Sequence, residues 1–361
     1  MHEFAEATGL SGRAAPERYL WTDAFAVCNF LGLYRQTGEA VHLELALRLV
    51  QQVHRVLGRH RDDDRRRGWI SGLDESEGER HPTRGGLRIG KRLPERGPGE
   101  PFEARTEWDR DGQYFHYLAQ WMHALHRVAQ ETADHRFDAW GAELARAAHA
   151  GFLRALAPGE SPRLAWKMSI DLRRVLVSST GQHDALDALT AYLELREGGA
   201  GLEREIADSR RLVASGGFET TDSLGIGALL CDACRIARFA RGGELADRAL
   251  LARLVAAARA SLEASDQADV LFEPAETRLP FREIGLAIGL HALERCAADF
   301  AWDSISGEDL SIVLAQVPLA HRIDEFWSET TRRQAASWSA HRDINSVMLA
   351  TSLEPGGYLG V

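Results

Sequence analysis

Residues 22–37, TDAFAVCNFLGLYRQT, are followed after Gly38-Glu39 by residues 40–58, AVHLELALRLVQQVHRVLG. In both stretches apolar residues recur at the spacing that gives an α-helix one buried face. A link as short as Gly38-Glu39 makes the two helices antiparallel neighbours. The same unit recurs along the chain. Helical spacing predicts pairs at 109–131 with 134–156, 184–197 with 202–214, and 222–241 with 245–264, the last joined by Gly242-Gly243-Glu244. A further pair joins 283–298 to a segment within 308–335, where Pro318 breaks or kinks the helix. A final helix is expected at 342–352.

Links inside a pair are short. Links between pairs, at 59–106, 157–183, 215–221, 265–282 and 336–341, are longer and carry Gly, Pro, Trp and charged residues. Long connections inside a compact domain are more often functional than short ones, and alternating helix directions bring all of them to one face. The first helix of each pair also starts alike, in LWTDAF, EWDRDGQYF, GQHDALDAL, ETTDSLGIG, PFREIGLAI and AHRDINSVM. Each start carries an acid: Asp23, Asp109 with Asp111, Asp184 with Asp187, Asp222, Glu283 and Asp343. Acids there cap free N–H groups and complement the helix dipole. Their recurrence points to a repeated architecture, an all-α (α/α)6 barrel of six helical hairpins formed by residues 1–361 as a single domain.

Composition narrows the function. The 361 residues include 43 Lys and Arg against 53 Asp and Glu, a formal charge of −10, with 45% hydrophobic residues. Those values describe a folded chain with a substantial core and speak against a general nucleic-acid binder, which needs a concentrated basic face. No apolar run approaches the roughly 20 residues of a membrane-spanning helix, and the first ten residues show no leader pattern. The expectation is a cytoplasmic protein with neither a membrane nor a nucleic-acid partner; the sequence leaves the oligomeric state open. Cys28, Cys231, Cys234 and Cys296 lie in apolar helical stretches and read as buried, reduced thiols. Only Lys91 and Lys167 are lysines, a bias toward Arg that suggests a GC-rich bacterial genome.

The phrase Glu107-Trp108-Asp109-Arg110-Asp111-Gly112, set among six hairpins with long loops on one face, resembles the (α/α)6-barrel, six-hairpin glycosidase superfamily. That resemblance implies a carbohydrate-active enzyme: a glycoside hydrolase, unsaturated glucuronyl hydrolase, polysaccharide lyase or sugar epimerase. For glycoside hydrolysis one carboxyl protonates the leaving oxygen and a second acts as nucleophile or activates water. The candidate pairing sets Asp109 or Asp111 against Asp184 or Asp222. Sugar epimerases of this architecture use paired His residues, for which His183 with His341 or His116 are the candidates. A non-catalytic scaffold that binds a ligand or partner is the third reading. Trp108, Tyr114, His116, Trp166, Gln182 and Trp338 are expected to contact a small-molecule or oligosaccharide substrate, with Lys167 and Arg88 holding its polar groups. Arg88 sits in Arg84-Gly85-Gly86-Leu87-Arg88-Ile89-Gly90-Lys91, which suits either an anion cradle or, by preference, a flexible surface hairpin. His123 and His126 lie three apart on a helix without a third ligand, and His54 reads as part of a solvated helix end. No metal site and no cofactor is expected, and no dinucleotide fingerprint or nucleophile elbow occurs.

Overall fold

The computed structural model describes residues 1–12, 14–155, 159–240, 245–265, 269–299 and 305–360. Its contacts divide into two compact units, His2–Ser215 and Gly216–Val361. The expected Gly242-Gly243-Glu244 link lies outside the described residues.

In the first unit the opening hairpin is α1 (Leu20–Thr37) and α2 (Ala40–Leu57). Gly38 closes α1 at φ 70° and donates its N–H to the Tyr34 carbonyl, a left-handed cap that glycine adopts without a steric penalty. A short helix, α3 (Ala104–Asp109), precedes α4 (Phe115–Thr132) and α5 (Arg136–Phe152), and α6 (Asp184–Glu197) with α7 (Glu203–Ser215) follows. Helix α4 packs on α1, α5 and α6 and is buried along most of its length. A small antiparallel sheet, β1 (Gln113–Tyr114), β2 (Lys167–Met168) and β3 (Val175–Val177), ties the stretch before α4 to the 163–183 loop.

The expected start of a long helix at residue 109 is therefore corrected. The EWDRDG phrase spans the end of α3 and an extended crossing, and α4 begins only at Phe115. Its Gly112 sits at φ 147° with no room for a side chain against the Met168 carbonyl. Residues 84–91 are not a flexible surface hairpin either, because Leu87 and Ile89 are fully buried.

The polar residues of α4 form internal ties. His123 Nδ1 lies 2.8 Å from a Glu194 carboxylate oxygen on α6, and His126 Nδ1 lies 2.8 Å from Asp138 on α5. Both rings are buried in these interhelical pairs. His54 is corrected likewise: it is buried against Trp121 and Trp140, accepts the Trp121 indole N–H at 3.1 Å, and desolvation lowers its pKa to about 3.

The second unit contains α8 (Ser223–Ala240), α9 (Leu245–Ala264), α10 (Pro280–Asp299), α11 (Gly307–Leu314), α12 (Val317–Ser328) and α13 (Arg342–Leu353). Pro318 falls in the first turn of α12, where its missing N–H costs nothing, so the 308–335 segment is two helices. The tightest crossing joins α8 to α10. A Cβ at Gly227 would collide with the Gly285 carbonyl, and one at Gly289 with the Gly227 backbone. All four cysteines are buried and none is in a disulfide.

Because that crossing leaves no space for a methyl group, Gly227→Ala is expected to destabilise the chain by about 1–3 kcal/mol or more. Urea denaturation checks this; an unchanged midpoint would contradict the backbone contact.

Candidate functional site

Three of the acids at helix starts are already partnered inside the protein. Asp23 accepts the Tyr19 N–H at 3.0 Å and lies 3.5 Å from Arg18. Glu283 takes two contacts of 3.0 Å from Arg278 Nε and accepts the Trp327 indole N–H at 3.0 Å. Asp222, half-buried ahead of α8, pairs with Arg282.

Asp184 differs. As the first residue of α6 it is buried, and its carboxylate accepts only the Gly181 N–H, at 3.2 Å, among the hydrogen bonds of the described residues. No Arg or Lys among the described residues forms an ion pair with it; His116 does approach it, with Nδ1 3.8 Å from Oδ1. A carboxylate without a cation loses more on leaving water than one backbone N–H returns. Burial accordingly pushes the Asp184 pKa up to about 7. Desolvation lowers His116 to about 4.

His116 belongs to an aromatic cluster built from three segments of the same unit. Its ring stacks on Tyr114 with centroids 5.6 Å apart and meets Tyr117 edge-on at 4.6 Å. Trp166, from the loop before β2, lies 5.3 Å from Tyr114 and 5.9 Å from Trp108. Trp108 is 51% exposed, so the cluster presents an indole face to solvent. Tyr19 and Tyr117 share a hydroxyl contact of 2.5 Å, and burial raises the Tyr19 pKa to about 12. The Lys91 ammonium stands 5.3 Å from the ring centres of both Tyr19 and Trp108. Burial lowers its pKa, against the opposing pull of Asp109. Asp109 itself is exposed at the end of α3.

Other candidate residues prove to be internally committed. Asp111 is fully buried: Oδ2 receives Arg88 at 2.6 Å and Arg61 at 3.2 Å, while Oδ1 accepts the Gly90 and Gly112 N–H groups at 3.0 Å each. The 84–91 segment thus does cradle an anion, and the anion is the chain's own Asp111. Arg88 also donates from Nε and Nη2 to the Arg59 and Val56 carbonyls. Lys167 is equally buried, donating to the Glu107 and Arg110 carbonyls at 2.7 and 2.8 Å and pairing with the Glu107 carboxylate at 3.0 Å. Asp111, Arg88 and Lys167 are buried and engaged inside the protein, as structural groups rather than open contacts for a substrate.

Gln182 is exposed and His183 is half-buried at the N-cap of α6, both within two residues of Asp184. In the second unit, Trp338 is buried in a stack on Trp327 at 5.6 Å, which corrects its expected role as an open sugar platform. His341 is exposed at the N-cap of α13, 5.4 Å from Phe281. Tyr19, Tyr117 and Lys91 join the cluster in addition to the expected substrate contacts. The rarity of lysine was the available signal for Lys91.

The helical architecture matches solved structures. A cellobiose 2-epimerase from Bacillus thermoamylovorans B4167 aligns with a TM-score of 0.50 and 10% identity, over 93% of this chain and 88% of that one. A D-mannose isomerase aligns with a TM-score of 0.50 and 12% identity, over 89% and 79%. The fold is an (α/α)6 barrel. No family model matches the sequence, and no curated protein matches it at a significant level. Among the described residues no helix is long and apolar enough to cross a membrane.

The raised Asp184 pKa has a sign in stability. Between the ordinary carboxylate value of 3.8 and about 7 the folded chain holds a proton that the unfolded chain has lost, so stability falls as pH rises through that window. Asp184→Asn is expected to flatten this part of the profile and to gain on the wild type from pH 4 to above 7. Denaturant midpoints across that range test it; parallel profiles would refute the buried, protonated carboxyl.

Proposed function

We propose that the protein is a sugar isomerase or epimerase, in which Asp184 and His116 move a proton on and off the carbon beside a sugar carbonyl. The observation that carries this reading is the juxtaposition at 3.8 Å of a carboxyl raised to about 7 and an imidazole lowered to about 4. Between those values both groups are neutral. One can give a proton and the other can take one, which is what enolisation of an aldose requires.

In this mechanism the His116 imidazole accepts the proton from the carbon next to the aldehyde, while Asp184 donates its proton to the carbonyl oxygen. The product of the step is an enediol, neutral overall. Returning a proton to the former carbonyl carbon, while the Asp184 carboxylate takes the proton of the neighbouring enol hydroxyl, gives the ketose; returning one to the original carbon from the opposite face, while Asp184 takes back the proton it gave, gives the epimer. His183, next to Asp184 in the chain, is the candidate second base for the opposite face. The exposed face of Trp108 and the neighbouring Trp166 offer a platform for the apolar face of a sugar ring. Lys91 stands over the same Trp108 ring and can hold a hydroxyl of a sugar lying there.

Glycoside hydrolysis is the weaker reading. One of its expected acids, Asp111, is buried between two arginines and two backbone N–H groups, which hold it as a saturated anion. The two fold relatives support the choice by their names, one an epimerase and the other an isomerase.

Incubation with mannose, glucose and cellobiose in D2O, followed by proton NMR, tests the proposal. Deuterium is expected at the carbon beside the carbonyl, and Asp184→Asn or His116→Ala should each lower kcat by about 10²–10⁴-fold. Activity should decline above about pH 7, as Asp184 loses its proton, and below about pH 4, as His116 gains one. Full turnover in both folded variants would remove these residues from the chemistry; release of monosaccharide from cellobiose without exchange would restore hydrolysis.

A further inference from the structure

We propose that His291, Glu294 and His321 form a binding site for one divalent cation of the zinc type, separate from the aromatic cluster. The three residues come from adjacent helices of the second unit. His291 and Glu294 are one turn apart on α10, and His321 faces them from α12. One donor atom from each lies within 4.8 Å of the other two, with His291 Nδ1 3.7 Å from the Glu294 carboxylate and the two imidazole rings 4.8 Å apart. Zinc bonds to nitrogen and oxygen are about 2.0–2.2 Å long, so donors sharing a tetrahedral ion stand roughly 3.5 Å from one another. Glu294 and His321 are both exposed, and small side-chain rotations close the remaining distance.

The argument rests on more than this proximity. The inner nitrogen of His291, Nε2, is 2.8 Å from Asp324 Oδ2, and the other Asp324 oxygen accepts the Ser352 hydroxyl at 2.7 Å. A carboxylate that fixes one ring nitrogen as the N–H donor leaves the opposite nitrogen with its lone pair outward. This carboxylate–histidine relay is how proteins orient and strengthen a metal-binding imidazole. Here the opposite nitrogen, Nδ1, is the one that faces Glu294. The residues line a cavity of about 510 Å³, open to solvent, whose acidic wall is extended by Glu325 one helical turn beyond His321. The cavity's arginine, Arg295, is drawn off by Glu354 at 3.1 Å. Two imidazoles and one carboxylate suit zinc, cobalt or nickel rather than magnesium or calcium, which prefer all-oxygen sets. Three protein donors leave a fourth position for water or a further ligand.

The site does not depend on the proposed isomerase chemistry, and its test reads metal directly. The full chain, stripped with chelator, is titrated with zinc by calorimetry and with cobalt by visible absorption. One equivalent is expected to bind and to raise the Tm. His321→Ala and Glu294→Ala, both at exposed positions, should each weaken binding at least tenfold; His135→Ala, at an exposed histidine of the first unit, should leave it unchanged. Asp324→Asn keeps every proposed donor but loses the relay, and should cost about 10–100-fold in affinity. Zinc affinity equal in the wild type, His321→Ala and Glu294→Ala would overturn the proposal, as would the absence of any bound equivalent.

Discussion

The first unit depends on one buried anion. Asp111 has no contact with water, and two arginines and two backbone N–H groups converge on its carboxylate. Those partners come from residues 61, 88, 90 and 112, so a single carboxylate gathers the long connection between α2 and α4. Removing one side of such a buried pair strands the other, at a cost of about 3–5 kcal/mol. The nearby Lys167 tie, to Glu107 and to two carbonyls of the same phrase, then fixes β2 beside β1. Trp108, Tyr114 and Trp166 acquire their mutual geometry from these two charged knots. The aromatic cluster is thus held by polar chemistry lying beneath it.

The helices were readily legible in the sequence because their apolar period is local. Residues 184–197 and 245–264 form helices with the expected bounds, and the break at Pro318 follows from its missing N–H. The region around residue 109 misled because EWDRDG lacks any signal that separates a helix start from a short helix followed by a turn. What decides there is the contact of Gly112 with the Met168 backbone, more than fifty residues away.

The chemistry was less legible for a related reason. An acid at a helix start reads the same whether it is paired or solitary, and only the fold supplies Arg278 to Glu283, Arg88 to Asp111 and, among the described residues, no Arg or Lys to Asp184. Histidines mislead in the same way. His123 and His126 share a helix but serve two different neighbours. His291 and His321, thirty residues apart, become neighbours through the packing of α10 on α12.

The scarcity of lysine has a practical reach. Lys167 is sealed inside its tie, and Lys91 stands partly open between two aromatic rings with its pKa lowered, so a larger share of its amine is uncharged than at an ordinary lysine. Since uncharged amines are the nucleophiles in acylation, the side-chain amine reactivity of the whole molecule is concentrated at the aromatic cluster. Apart from an α-amino group, an amine-directed fluorophore or cross-linker would therefore mark that surface, and a bound molecule lying over Trp108 would shield it.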